Sequence, residues 1–361
     1  KHGIKLVLGY TVEGFKEKDN GVEVLLKDNP SLQADMVVLA IGVTPDTVLA
    51  KEAGLELGIK ESIVVNDRME TSVPDIYAAG DAVQVKHYVT GNDALISLAG
   101  PANKQGRIIA DNICGGDSRY LGSQGSSVIK VFDMTAATTG INETNAKKSG
   151  LEVDTVILSP MSHAGYYPGG KVMTMKVVFE KESYRLLGAQ IIGYEGVDKR
   201  IDVLATAIHA GLNATQLKDL DLAYAPPYSS AKDPVNMAGF MIDNIAKGTL
   251  KQWHLEDMDK ISKDKDVVLL DVRTVGEFSR GHIDGFKNIP VDELRERISE
   301  IEKGKAVYLI CQSGLRSYIA SRILEGNGYE TYNFSGGFRF YDAVVNDRAL
   351  IERAYACGMD Y

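Results

Sequence analysis

The chain has 361 residues, 44% of them apolar and 25% charged, which suits a soluble protein of two or three domains with separate cores. A net charge of −9 argues against nucleic acid as a general partner. No apolar run approaches the roughly 18 residues needed to cross a bilayer, and no signal-peptide layout opens the chain. Three cysteines (Cys114, Cys311 and Cys357), odd in number and far apart, make neither a disulfide framework nor a metal site. They point to a reducing cytoplasm and to no membrane and no metal.

In chain order, residues 4–8 and 22–26 read as strands, and Asp28, Asn29 and Pro30 as a turn. Residues 36–42 form a nearly continuous apolar run, the pattern of a strand buried on both faces. A short strand at 76–79 ends in Gly80 and Asp81. Glycine lets a cofactor approach the backbone, and a carboxylate accepts hydrogen bonds from sugar-like hydroxyls. Strands follow at 128–132, 171–179 and 186–192. Residues 197–209 then make an amphipathic helix with Ile201, Leu204, Ala205 and Ile208 on one face. Two aromatic loops with turn chemistry stand out, residues 163–169 around Tyr166 and residues 224–233 around Tyr224.

The C-terminal third carries the sharpest chemistry. Residues 267–273 read as a buried strand ending in charge at Asp271 and Arg273. Residues 306–310 form a second apolar strand, followed by a loop from Cys311 to Arg316. A helix with Ile319, Ala320, Ile323 and Leu324 comes next. A loop curling into a helix N-terminus points N–H groups inward, and that field together with Arg316 favours a nucleophilic thiolate on Cys311. This reading requires a sulfur open to its substrate. Asp271, Arg273 and His282 read as fold-supporting groups.

The strand-Asp271-x-Arg273, Gly281-His282-Ile283 and Cys311-x-x-Gly314-x-Arg316 elements, in that order, resemble a rhodanese domain from about Leu255 to Gly337. Such sulfurtransferase modules carry sulfane sulfur on the loop cysteine, and the resemblance implies this for Cys311. A six-residue loop matches sulfur carriers, where the related phosphatases have one residue more. The context from Thr71 to Asp81 resembles the second flavin motif of the pyridine nucleotide-disulfide oxidoreductases, a likeness running from Lys1 to about Lys247. It implies FAD and NAD(P)H as cofactors, a flavin site including Gly80, Asp81 and Ala99, and a homodimer. The loops around Tyr166 and Tyr224 look like those of coenzyme A-disulfide reductases and the persulfide reductases related to them. There the matching tyrosines act at the partner's redox centre, and Lys232, with Asn103 and Lys104, is implied to bind coenzyme A.

The expected architecture is an α/β and α+β multidomain protein. Residues 1–43 would end an NAD(P)H-binding domain and 44–120 an FAD-binding domain. Residues 121–247 would form a dimerisation domain and 248–361 a rhodanese-like domain. No Gly-x-Gly-x-x-Gly occurs, so the glycine loops and the flavin-side redox cysteine are expected upstream, with the chain a C-terminal fragment. The expected function is reduction of coenzyme A disulfide, persulfide or polysulfide, with sulfur transfer through Cys311. The alternatives are a stand-alone sulfurtransferase on a dimer-forming scaffold, an NADH oxidase-like flavoprotein, or a non-enzymatic module in which Cys311 senses redox state.

Overall fold

The computed structural model describes residues 3–357, with side-chain surroundings through residue 347. Two compact units divide the chain, one drawn from both ends (up to Thr44 and from Tyr341) and one running from Pro45 to Phe340. In the first, β1 (Val12–Lys18), β2 (Gly21–Leu26) and β3 (Asn29–Ala34) form an antiparallel meander. The turn falls on Lys27 and Asp28, so Asn29 and Pro30 already belong to β3.

Two expected strands do not form. Residues 4–8 and 36–42 are irregular and exposed, Ile41 at 90%. A strand exists only through a hydrogen-bonded neighbouring strand, and among the described residues no strand ladder includes either segment. The apolar run was legible, but its partner was not.

The second unit opens with α1 (Val48–Glu52) and a small sheet of β4 (Ile63–Val64), β5 (Val83–Lys86) and β6 (Asp93–Ala94), followed by α2 (Ala99–Ile113). The expected strand at 76–79 is a single bridge from Tyr77 to Glu70, because the turn just before it leaves room for only one rung. Met69, Val83 and Val85 are buried here, with Ile108 and Ile109 of α2 against them.

The next layer is a five-stranded antiparallel sheet. Its strands are β7 (Ser127–Val131), β8 (Met134–Gly140), β9 (Val153–Leu158), β10 (Thr174–Glu180) and β11 (Leu186–Gly193), in the order β7-β8-β11-β10-β9. Helix α3 (Glu143–Lys148) connects β8 to β9. Helix α4 (Val197–His209), with the bounds expected from its periodicity, covers β8 and β11 with Ile201, Leu204 and Ile208. Helix α5 (Pro234–Ala246) packs on the turn at Ala214–Asp219.

The last layer is a parallel sheet, β12-β16-β15-β13-β14, formed by β12 (Gln252–Trp253), β13 (Val267–Asp271), β14 (Lys287–Asn288), β15 (Ala306–Ile310) and β16 (Thr331–Phe334). The helices α6 (Met258–Ile261), α7 (Val275–Ser279) and α8 (Leu315–Glu325) accompany it, and α9 (Gly337–Cys357) starts shortly after β16. Polar bonds tie this sheet to the edge of the antiparallel one. Gln252 Nε2 donates to the Thr155 carbonyl (2.8 Å), and the Ile157 N–H donates to Ser335 Oγ (3.0 Å). The multidomain α/β and α+β class expected from the sequence is the class that folds.

Gly239 sets how closely α5 approaches its neighbour. A Cβ added there would lie 2.2 Å from Lys218 N and 2.6 Å from the Leu217 carbonyl carbon. Ala ordinarily gains ~1 kcal/mol over Gly inside a helix, but overpacking against backbone costs about 3 kcal/mol. Gly239→Ala is therefore expected to destabilise the protein by about 2 kcal/mol in urea unfolding, and a stabilised variant would contradict this packing.

Candidate active site

Strand β15 delivers Cys311 to the C-terminal edge of the parallel sheet, and α8 begins four residues later. Gly314 turns the chain at φ +99°, a conformation that glycine alone adopts without strain. The turn aims the Gly314 N–H at Cys311 Sγ, 3.1 Å away. Ser317 Oγ lies 3.2 Å from the same sulfur and 3.1 Å from the Gly314 carbonyl oxygen, so its proton is shared between them. Among the described residues the N–H groups of Gln312, Ser313, Leu315 and Arg316 meet no protein acceptor. Sulfur at this helix start sits in the positive end of the α8 dipole.

The loop is braced from beneath by the start of α9. Phe338 N–H donates to the Cys311 carbonyl (2.8 Å) and Arg339 N–H to that of Gln312 (3.1 Å). Gly337 permits this approach, since a Cβ there would lie 2.6 Å from Ser313 N. Asn333 Nδ2 donates to the Gly314 carbonyl (3.1 Å), fixing the peptide next to the one facing the sulfur.

One expectation is corrected here: Cys311 is not open to solvent. It exposes 1% of its surface, because the sulfur turns inward under the loop and against Ser317. Any molecule meeting this sulfur would have to reach it through local opening of the loop.

The two arginines of the motif are each already paired. Arg273 and Asp271 form a buried pair with Nη2···Oδ2 at 2.7 Å; Arg273 also donates to the Gly281 carbonyl (2.8 Å) and stacks over Phe338 at 3.8 Å. Arg316 makes two 2.7 Å bonds to Glu277, one to each oxygen. Its bonds to Glu277 raise its pKa, with smaller help from the field of Cys311. Glu277 is fixed in turn by Thr274, whose N–H and Oγ donate to it at 3.0 and 2.9 Å in a capping box on α7. His282 Nδ1 lies 3.1 Å from the Phe278 carbonyl, and the ring stacks on that side chain.

A second constellation joins Tyr166 and Tyr224, whose hydroxyls are 2.8 Å apart. Both are exposed, and the bond from Tyr166 raises the pKa of the Tyr224 phenol. Their loops converge on Arg200, 1% exposed, whose Nη2 donates to Asp233 Oδ2 (2.9 Å), Ser229 Oγ (3.1 Å) and the Ser162 carbonyl (3.0 Å). Asp233 also caps α5. Removing one partner of such a buried pair costs about 3–5 kcal/mol. A cavity of about 510 Å³ opens beside Tyr224, Lys199 and Arg200.

The remaining predicted residues lie elsewhere. Gly80, at φ +84°, donates its N–H to Gln105 Oε1 (2.7 Å) in front of α2, whose first residue is Ala99. Asp81 is exposed. Asn103 Nδ2 donates back to the Ala99 carbonyl (3.1 Å), while Lys104 borders a cavity of about 940 Å³. Lys232 is exposed, its ammonium 5.9 Å from the Phe240 ring centre. Cys114 is exposed beyond α2, and the side chain of Cys357 lies outside the described residues. Reading the sequence overlooked Glu277, Ser317 and the Arg200–Asp233 pair. The Thr274-x-x-Glu277 spacing announced the first, whereas nothing local announced a pair 33 residues apart.

Comparisons with known proteins place the chain by its domains. Residues 1–106 match the pyridine nucleotide-disulphide oxidoreductase model and residues 126–234 the dimerisation domain of that family. Residues 254–343 match the rhodanese-like domain. The chain belongs to the pyridine nucleotide-disulphide oxidoreductases and carries a rhodanese-like domain. Among solved structures it resembles reduced Bacillus anthracis CoADR-RHD, at 47% identity and TM-score 0.90 over 94% of this chain and 60% of that one. It also resembles an NAD-dependent persulfide reductase from A. fulgidus, at 40% identity and TM-score 0.82 over 92% and 61%. A CoA-dependent NAD(P)H sulfur oxidoreductase of Pyrococcus abyssi is 37% identical over 65% of this chain and 52% of its own length. The chain thus spans about half the length of that curated relative.

The Arg316–Glu277 bond makes a pH prediction. These contacts lower the Glu277 pKa from 4.5 to about 2, so the stability they add is full above pH 4.5 and is lost as pH falls through about 2. Urea midpoints followed downward through this window should fall more steeply in the unchanged protein than in Glu277→Gln. Parallel curves would contradict the linkage.

Proposed function

We propose that this chain forms part of an FAD-dependent NAD(P)H reductase of coenzyme A disulfide, persulfide or polysulfide, with Cys311 as its carrier of sulfane sulfur. The observation that carries the sulfur-handling half is Cys311 Sγ held at the start of α8 by the Gly314 N–H and Ser317. The reductase half is supported by the family matches and by the persulfide and sulfur reductases to which the chain is similar. The domain boundaries read from the sequence, at 43/44, 120/121 and 247/248, belong to this proposal. So does a homodimer, which the dimerisation-domain match supports.

The residues fit a flavin. A Cβ at Gly80 would meet only Ala102 at 3.9 Å, leaving room for close approach. The Asp81 carboxylate has no protein partner among the described residues, and no side chain caps the start of α2. Gly80, Asp81 and Ala99 would hold the group. When bound, FAD supplies two-electron transfer between a nicotinamide and a sulfur–sulfur bond.

The chain's own residues do the rest. Tyr166 and Tyr224 share one hydroxyl–hydroxyl bond, so one phenol orients the other to donate a proton to a departing thiolate. The bond from Tyr166 raises the Tyr224 pKa further above its ordinary value, so the phenol is a donor rather than a base. Lys232, with Asn103 and Lys104, binds coenzyme A, the ammonium groups meeting phosphate as point charges. In sulfur transfer, the Cys311 thiolate attacks the outer sulfur of a persulfide R–S–S⁻. A new S–S bond forms on Cys311, the old one breaks, and R–S⁻ departs with the electron pair. The loop N–H groups and Ser317 stabilise the anion left on the carrier.

Cys311→Ser should abolish sulfur loading while the full-length gene product keeps its flavin-dependent reduction of coenzyme A disulfide. Sulfur loading is read by intact mass and reduction by NAD(P)H oxidation. Loss of both activities would overturn this division of labour.

A further inference from the structure

The cations around Cys311 are arranged in a way that bears on which sulfur compound it accepts. The sequence places Arg316 beside the loop, and Arg273 ends the neighbouring strand. The structure cancels both charges. Arg273 is held by Asp271, both about 1% exposed, and faces away from solvent over Phe338. Arg316 is gripped by both oxygens of Glu277. Glu277 cannot easily let go, because Thr274 donates two further bonds to its Oε2. Of the polar groups in contact with the sulfur itself, the Gly314 N–H and the Ser317 hydroxyl, neither carries a formal charge.

We propose that this subsite is charge-balanced for monoanionic thiol persulfides, R–S–S⁻, and that Glu277 sets the selectivity against dianionic thiosulfate by neutralising Arg316. The inference rests on the sulfur-transfer reading above and deepens it by naming the donor class. Both donors react by the same balanced step. With R–S–S⁻ the Cys311 thiolate takes the outer sulfur and R–S⁻ leaves; with thiosulfate it takes the sulfane sulfur and the sulfite dianion leaves. Only the charge that must approach an anionic sulfur differs, one unit against two, and unscreened repulsion grows in proportion. Neutral dipoles suffice for the smaller charge. A free guanidinium would be needed to compensate the larger one. Leu315 and Val275, the exposed first residues of α8 and α7, make the starts of these two helices apolar, which suits the organic arm of a thiol better than a sulfonate.

The test is a charge cycle, reading the ratio of rate constants for loading Cys311 from thiosulfate and from glutathione persulfide, with Cys311→Ser as the blank. The unchanged protein should favour the persulfide. Glu277→Gln, which frees Arg316, should shift the ratio toward thiosulfate by on the order of tenfold. Arg316→Gln, which leaves Glu277 uncompensated, should shift it the other way. The double variant should return it close to the starting value. A loop merely loosened by substitution lowers both rates and cannot give shifts of opposite sign. Equal ratios in all four proteins, or a preference for thiosulfate in the unchanged one, would overturn the role given to Glu277 while leaving sulfur transfer standing. Loading from neither donor would overturn both.

Discussion

A guanidinium withdrawn from water must bring a carboxylate with it; two such buried pairs, and a third that is only half-buried, hold the candidate sites of this chain in place. Desolvating a lone charge costs several kcal/mol, so the pair is obligatory wherever burial is. Arg200 with Asp233 joins the helix that covers the antiparallel sheet to the loop after Tyr228, and reaches the Ser162 carbonyl as well. The two tyrosine loops are thereby held at hydroxyl contact, with the Ala164 N–H donating to the Ser229 carbonyl (2.9 Å) as a second link between them. Arg273 with Asp271 locks the end of β13 to the segment at Gly281. Arg316 with Glu277 links the starts of α8 and α7 beside the sulfur.

These pairs have a chemical consequence that neither partner has alone. Each ties up the charge that would otherwise serve an anionic ligand, so the sulfur relies on aligned N–H groups and a hydroxyl. Dipoles of this kind are held in place by the turn at Gly314 while the loop is closed. The same turn, braced by Asn333 and the start of α9, also closes over Cys311 and makes access a matter of loop opening.

Much of this was legible in the residues. Helix α4 has the bounds its periodicity announced, and β15 followed by a cysteine, a glycine and a helix was plain from composition alone. The segments misread as strands, 4–8, 36–42 and 76–79, are apolar as such strands should be. A ladder, however, needs a second strand, and no property of the segment supplies it. The Tyr166–Tyr224 contact joins residues 58 apart; family likeness singled out each tyrosine, but neither it nor spacing announced that they touch.

What the sequence determined by itself is whatever is settled within a few residues: helix periodicity, the αL turn at Gly314, the capping box that places Glu277 on α7. Tertiary structure alone decided which carboxylate each arginine meets and how deeply Cys311 lies. Those outcomes depend on Coulomb energy and desolvation, which are set by neighbours in space regardless of their separation along the chain.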